Sequence, residues 1–338
     1  MAEIAVTGAC GFVGSNLVYR LLKTGRDVVL IDNLSRRGAE KNLAWLRSMF
    51  PGLNFHRVDV RDSQALAPLL ASCRVIYHLA SQVAVTTSVE NPREDFEVNA
   101  LGTLNVLEAA RLGGRFPVVI FPSTNKVYGG LEDLEIRERR TRYEFTHLPE
   151  GVDEARPLDF HSPYGCSKGA ADQYVRDYCR IYRIPTVVFR MSCQFGPRQF
   201  GNEDQGWVAH FLIRALRDQP LTIYGDGRQV RDILYIDDLV DLFLLAAERA
   251  DITQGHIYNV GGGRENSISL LELLDFIREE LGRRPRVTFG AWRPGDQRIY
   301  ISNCGRLAEH LGWKPRVPMR EGLERLARWI EANPELFD

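Results

Sequence analysis

Ile4-Ala5-Val6-Thr7-Gly8-Ala9-Cys10-Gly11-Phe12-Val13-Gly14 decides the fold. A short β-favouring run leads into a GxxGxxG loop, and helical spacing then runs from Phe12 to Leu22 and ends at Gly25. A strand that turns through glycines into a helix makes a phosphate cradle. The first glycine permits the tight turn, and the second lets a diphosphate approach the backbone. The third lets helix and strand pack closely, while the helix N-terminus attracts the anion.

Working outward, buried runs recur at Val28–Ile31, Phe55–Val60, Val75–Leu79, Val118–Phe121 and Pro185–Arg190. Between them lie a long amphipathic stretch, Phe96–Leu112, ended by Gly113-Gly114, and a long helix, Pro163–Tyr182. Such alternation implies βαβ units and a parallel sheet covered on both faces. Beyond residue 190 short strands (Leu221–Tyr224, Val287–Phe289, Arg298–Ile301) mix with helices (Trp207–Arg217, Leu239–Arg249, Leu270–Leu281, Arg306–Leu311, Arg320–Asn333). The expected fold is α/β: a doubly wound parallel Rossmann sheet in residues 1–190 and a smaller α/β substrate-binding subdomain in 191–338. Tyr258–Val260 is expected to return to the main sheet. Residues 129–160 are charged and aperiodic and read as a surface insertion, with a lid or an oligomer contact as the sharper alternative.

Composition narrows the function. The 338 residues carry 43 basic and 44 acidic side chains, a formal charge of −1, with 44% hydrophobic and 26% charged residues. That is ordinary globular usage with ample core material. Near-neutral charge argues against a nucleic-acid partner, and no run of 18 apolar residues suggests a membrane span. The N-terminal residues show no basic region or cleavage pattern. Six cysteines (10, 73, 166, 179, 193, 304) lack CxxC or regular spacing, which argues against disulfide and metal frameworks and for a cytoplasmic setting.

Asp32 ends the second run, 24 residues after Gly8, where a carboxylate accepts from adenosine ribose hydroxyls and repels a 2′-phosphate. NAD is therefore favoured over NADP, although Arg36 and Arg37 follow closely. Asp59-Val60 is placed near adenine, and Leu79-Ala80-Ser81-Gln82 near the pyrophosphate and nicotinamide ribose. Tyr164 and Lys168 stand four apart on one helix face, and Ser123-Thr124 follows the fifth strand. A phenol of pKa about 10 is a poor base. A nearby ammonium and a positive nicotinamide favour its phenolate. Lys168 can supply part of that and bind the nicotinamide ribose, while Thr124 donates to the reacting oxygen.

These elements, with Asn99, Arg231-Asp232-Ile233-Leu234-Tyr235-Ile236-Asp237-Asp238 and Arg293-Pro294-Gly295-Asp296, resemble the extended short-chain dehydrogenase/reductases that act on nucleotide sugars. The resemblance covers essentially the whole chain. It implies that Arg231 contacts the diphosphate, that Arg293 and Asp296 contact the phosphate and nucleoside, and that the protein is a homodimer through the helices at 96–112 and 163–182. Asn99 has a competing role in fixing helix geometry. Candidate cofactor contacts are Gly8, Gly11, Phe12, Val13, Gly14, Asp32, Asn33, Ser35, Arg36, Asp59, Val60, Leu79, Ala80, Gln82, Asn99, Ser123, Tyr164, Lys168 and Ser192. Candidate catalytic residues are Thr124, Tyr164 and Lys168. Candidate substrate contacts are Thr124, Asn125, Lys126, Cys193, Gln205, Gly206, Trp207, Thr222, Tyr224, Arg231, Arg293 and Asp296. Cys10, Cys166 and Cys193 are all expected beside cofactor or substrate.

The residues after Thr124 bear on the reaction. Related dehydratases carry Asp-Glu there, whereas Asn125-Lys126 offers no carboxylate for eliminating water. Epimerisation through a transient ketone remains, with the cofactor regenerated and retained. Ser123–Gly129, Asp159–Tyr174 and Asp204–Trp207 resemble the CDP-tyvelose/CDP-paratose 2-epimerases, which implies chemistry at C2. The catalytic residues themselves do not encode which carbon is presented. Cys193 stands where 4-epimerases commonly have Asn, and a thiol does not replace an amide's hydrogen bonds. A nucleotide-sugar 4-epimerase, a net dehydrogenase and a non-catalytic NAD-binding module stay open as alternatives.

Overall fold

In the computed structural model, which describes residues 3–293 and 295–337, the glycine-rich loop leaves a strand inside a seven-stranded parallel sheet. Met1, Ala2, Asp338 and Pro294 of the Arg293–Asp296 motif lie outside the described residues. The strand order is Ile257–Val260, Thr186–Met191, Val118–Thr124, Val75–His78, Ile4–Thr7, Val28–Ile31, Phe55–His56. The order reverses between Ile4–Thr7 and Val75–His78, and such a reversal opens a crevice at the carboxyl ends of the strands. Alternate residues feed two apolar layers: Val28 and Leu30 join one core, Val29 and Ile31 the other. The first core includes Leu17 and Val18 of the helix Phe12–Lys23 and Leu239 and Phe243 of Ile236–Glu248. The second takes Leu66, Val106, Ala171 and Val175 from Ser63–Leu70, Gly102–Leu112 and Ser162–Tyr182. Both faces are buried, which is why these strands read as unbroken apolar runs.

Several bounds differ from the sequence expectation. The run Phe55–Val60 is strand only at Phe55–His56, because the edge strand ends where Val58 turns onto the helical layer. Phe96–Leu112 is three pieces: the helix Pro92–Phe96, a π turn at Glu97–Leu101, and the helix Gly102–Leu112. The π turn lets Asn99 face inward, and at Gly102 a Cβ would lie 2.7 Å from Val60 Cγ2. π bulges cluster at functional sites.

The rest of the chain builds smaller sheets. Val230–Tyr235 pairs with Ser267–Ser269, Ile299–Tyr300 and Cys193–Phe195, and Leu221–Tyr224 pairs with Val287–Gly290. The strands Cys193–Phe195, Val230–Tyr235 and Ser267–Ser269 were not foreseen. The helices Trp207–Leu216, Ile236–Glu248, Leu270–Glu279, Gly305–Leu311 and Met319–Glu331 fall within a few residues of expectation. Residues 129–160 contain a hairpin, Ile136–Glu138 with Tyr143–Phe145, and are stitched into the second half. Tyr143 N donates to Arg228 O at 3.0 Å, Val152 N to Ile301 O at 2.8 Å, and Asn303 N to Val152 O at 2.9 Å. Tyr143 and Val152 are buried, so this largely exposed segment is anchored on the second half. No helix among the described residues is long and apolar enough to cross a membrane.

Candidate active site

A cavity of 390 Å³ opens at the carboxyl ends of the main-sheet strands and runs beneath the second half of the chain. Its wall takes in Phe12, Val13, Leu79, Ser123, Tyr164, Lys168 and Ser192 from the candidate cofactor set, and all twelve candidate substrate residues. Residues far apart in sequence therefore meet in one crevice at the switch point.

At the glycine-rich end, Gly8 has φ 66, and a Cβ there would lie 2.6 Å from Ala80 N. At Gly14 a Cβ would come within 2.0 Å of Gly8 O. Only glycine permits both the turn and the helix–strand contact. Asp32 is buried, its oxygens accepting from Cys10 N at 2.9 Å and Leu34 N at 2.7 Å. Burial raises its pKa, and these two backbone bonds oppose the rise. Asn33 donates to Asp59 at 2.8 Å, and Arg61 holds the Asp59 carboxyl down at about 2. Ser35 and Arg36 are exposed at the rim. The cradle fits a dinucleotide: two glycine positions have no room for a Cβ, and a carboxylate ends the second strand. The buried Ser123 Oγ, on the cleft wall, has no hydrogen-bond partner.

Three candidate cofactor contacts have their side chains engaged elsewhere. Val60 packs on Gly102, and its carbonyl accepts from Asn105 at 2.9 Å. The Gln82 amide bonds both backbone groups of Ala84 and also Asp95. Asn99 is buried: its Oδ1 accepts from Ser81 Oγ at 2.7 Å and Gln82 N at 2.9 Å. Its Nδ2 donates to Gln82 O, Asp95 and Ser167, each at 3.1 Å. Its amide is saturated by protein partners, and through them Asn99 fixes the Ser81-Gln82 loop. Of the three cysteines expected at the site, only Cys193 lines the cleft. Cys10 packs with Ala39 and Leu43, and Cys166 is exposed.

Thr124, Tyr164 and Lys168 line the same cleft. Burial pushes the Tyr164 phenol up to about 12, opposed by a hydrogen bond with Thr124, while the Asp95 charge adds to the rise. The Arg36 charge also opposes the rise. Lys168 Nζ donates to Pro122 O at 2.7 Å and lies 4.2 Å from the Phe121 ring centroid. Burial lowers Lys168 to about 7 against the opposing charges of Asp172 and Asp95.

Beyond Thr124, Asn125 donates to Gln297 at 2.9 Å, and Lys126 Nζ donates to Gly295 O at 3.0 Å. Burial lowers Lys126 to about 8, helped by Arg231 and opposed by Asp296. Arg231 pairs with Asp296 at 2.7 Å, and the Arg293 guanidinium lies 3.8 Å from the Tyr224 ring centroid. Trp207 Nε1 donates to Cys193 Sγ at 3.3 Å. Gly206, at φ 73, starts the helix that carries Trp207, and Gln205 precedes it. Thr222 faces Thr288 at 3.4 Å. The near-neutral chain thus concentrates Lys126, Lys168, Arg231 and Arg293 around one cleft, a local field suited to a diphosphate. Sequence reasoning missed Asp95, Ser167, Gln297 and Glu203. Ser167, inside the Tyr164–Lys168 turn, was the one visible in a quoted motif.

A switch-point crevice with a dinucleotide cradle and a Thr–Tyr–Lys cluster defines a Rossmann-type enzyme. Residues 4–261 match the model of the NAD dependent epimerase/dehydratase family, and the chain belongs to that family. It is 43% identical to the CDP-paratose 2-epimerase of Salmonella typhi, over 98% of this chain and 99% of that protein. It is 34% identical to a putative UDP-glucose 4-epimerase of Methanocaldococcus jannaschii, over 98% and 99%. The structure of the Thermus thermophilus UDP-glucose 4-epimerase complex with NAD superposes with a TM-score of 0.81 at 33% identity, over 97% of this chain and 98% of that one. The cofactor of this family is NAD.

Proposed function

We propose that the chain epimerises a CDP-activated hexose at C2, interconverting CDP-paratose and CDP-tyvelose. The observation that carries the reaction class is that Thr124 and Tyr164 line one cleft with Asn125 and Lys126 beside them. Proton transfer at a hydroxyl is provided for, and no carboxylate follows Thr124 to expel water. The likeness to the Salmonella typhi protein supports the carbon and the nucleotide.

Bound NAD supplies the hydride acceptor and, once reduced, the donor. Tyr164 takes the proton from the C2 hydroxyl as the ketone forms and returns one to the oxygen after the sugar has turned over. Thr124 donates to that oxygen and holds it against Tyr164. Lys168 would hold a positive charge beneath the site and bind the nicotinamide ribose. Arg231 and Arg293 hold the diphosphate and nucleoside, so the sugar rotates about a fixed anchor. The cleft keeps the ketone from solvent. In the same reading residues 1–190 hold the cofactor and 191–338 cover the nucleotide sugar.

The chain is further proposed to be a homodimer. Phe96, Leu112, Tyr174, Ile181 and Tyr182 are exposed apolar side chains on and beside the helices Gly102–Leu112 and Ser162–Tyr182, the kind of surface that subunits cover. NMR analysis of products from CDP-paratose, CDP-tyvelose, CDP-glucose and UDP-glucose tests the reaction. Inversion at C2 of a CDP-sugar is expected. Inversion at C4 of UDP-glucose alone makes the chain a 4-epimerase instead.

A further inference from the structure

The helix Pro92–Phe96 carries a carboxylate that the mechanism above does not use. Asp95 is 1% exposed. It accepts from Gln82 Nε2 and Asn99 Nδ2, each at 3.1 Å, and from Ser167 Oγ. Ser167 belongs to the turn Tyr164–Lys168, and its hydroxyl also lies 3.2 Å from Tyr164 O. Among the described residues Asp95 forms no salt bridge, and neither does Lys168, whose ammonium donates to a backbone carbonyl. A carboxyl and an ammonium are thus buried on neighbouring helices without a salt bridge; burial raises the Asp95 pKa, and the Ser167 hydrogen bond and the Lys168 charge oppose that rise.

The hydrogen bonds alone do not require a charge. An asparagine at 95 would accept from Gln82 and Asn99 through its oxygen and donate to Ser167, whose hydroxyl would then donate to Tyr164 O. What the carboxylate adds is the negative charge, and burying a charge is unfavourable unless something compensates it. We propose that Asp95 is a positioning residue of this site, a counter-charge that acts with Asp172 to keep Lys168 protonated. The proposal rests on the reading of Lys168 as the cation of the proton-handling cluster.

The other charged and titratable groups around the pair are Tyr164 and Asp172 on the helix of Lys168, Arg36 at the rim, Cys193 across the cleft, and His78 behind Phe121. Burial keeps His78 neutral. Asp172, paired with Arg190 at 2.9 Å, and Asp95, which forms no salt bridge among the described residues, both favour protonated Lys168, Asp172 the more strongly. Removing the Asp95 charge lowers the pH at which Lys168 gives up its proton, and it eases ionisation of Tyr164 in the same direction.

The test is a pH titration by carbon NMR of the purified chain labelled at the lysine ε-carbon. The chain has five lysines (23, 41, 126, 168, 314), and Lys168→Arg assigns the signal of interest. In Asp95→Asn the Lys168 midpoint is expected to fall by about half to one pH unit, with Lys23 and Lys314 unmoved. Ser167→Ala, which removes a hydrogen bond and keeps the charge, is expected to leave the midpoint in place. An unmoved midpoint in folded Asp95→Asn, or an equal fall in Ser167→Ala, overturns the proposal. If Asp95→Asn does not fold, Asp95→Ser is read by the same criterion. The titration needs no turnover. Absence of epimerisation would overturn the reaction proposed above, and a fixed Lys168 midpoint would overturn only the charge pairing.

Discussion

The indole N–H of Trp207 points at the Cys193 thiol, 3.3 Å away, and the pair forms one wall of the cleft. Burial raises the thiol pKa, so Cys193 is a neutral wall group rather than a nucleophile. Cys193→Asn introduces an amide with two donors and pushes against the indole. The Michaelis constant for the CDP-sugar is expected to rise about tenfold, ~1.4 kcal/mol of binding, with kcat changed little. Cys193→Ser keeps the size and the acceptor, and should stay near the unsubstituted value. Steady-state kinetics on both variants checks this.

Tyr164→Phe removes the proton carrier and leaves the ring packing intact. A loss of about 10³-fold in kcat is expected, within the range for general acid–base groups, with dinucleotide content and substrate affinity retained. Thr124→Ala should cost less, about 10²-fold. Turnover measured together with the bound dinucleotide separates loss of chemistry from loss of cofactor.

His78 makes stability depend on acid. Thr103 donates to Asn99 O at 2.6 Å, so its oxygen accepts from His78 Nε2–H, which leaves Nδ1 to accept from Thr7 at 2.7 Å. Burial, with the Lys168 charge adding to it, holds this imidazole neutral down to about pH 3. The unfolded chain takes up the proton near pH 6.5 and the folded chain does not. Stability present above about pH 6.5 is therefore lost progressively as pH falls toward 3, by about 3 kcal/mol at pH 4.5. Urea unfolding at pH 7.5 and 5 is expected to show the loss, and His78→Gln to flatten the dependence. An equal slope in that variant would show that His78 is not its source.

Sedimentation of the purified chain is expected to give a dimer. Leu112 is 71% exposed and Ile181 63% exposed in the single chain. Leu112→Glu together with Ile181→Glu should yield a folded monomer. A monomer without any substitution contradicts the proposed face.

The sheet was legible in the sequence because strands covered on both faces read as runs such as Val28–Ile31. The glycine spacing and the Tyr164–Lys168 pair were legible because a tight turn and one helix face demand particular residues at particular distances. What stayed hidden depends on contacts between distant segments. The Gly102 contact with Val60 and the inward turn of Asn99 break the helix expected at 96–112, and no local period announces either. The hairpin Ile136–Glu138 with Tyr143–Phe145 is too short for alternation to show, and its Tyr143 is fixed by Arg228 from far along the chain. Asp95 resembled any exposed acid in Pro92-Arg93-Glu94-Asp95, and only the fold reveals that it is buried against Ser167.

The central claim is transient oxidation at C2 within one cleft, and CDP-paratose deuterated at C2 tests it most directly. Incubated with the purified chain in ordinary water, it should give CDP-tyvelose that keeps the deuterium at C2, because the hydrogen removed from one face returns to the other. Loss of the label to solvent would contradict transfer through the cofactor, and failure to invert C2 at all would contradict the proposed reaction.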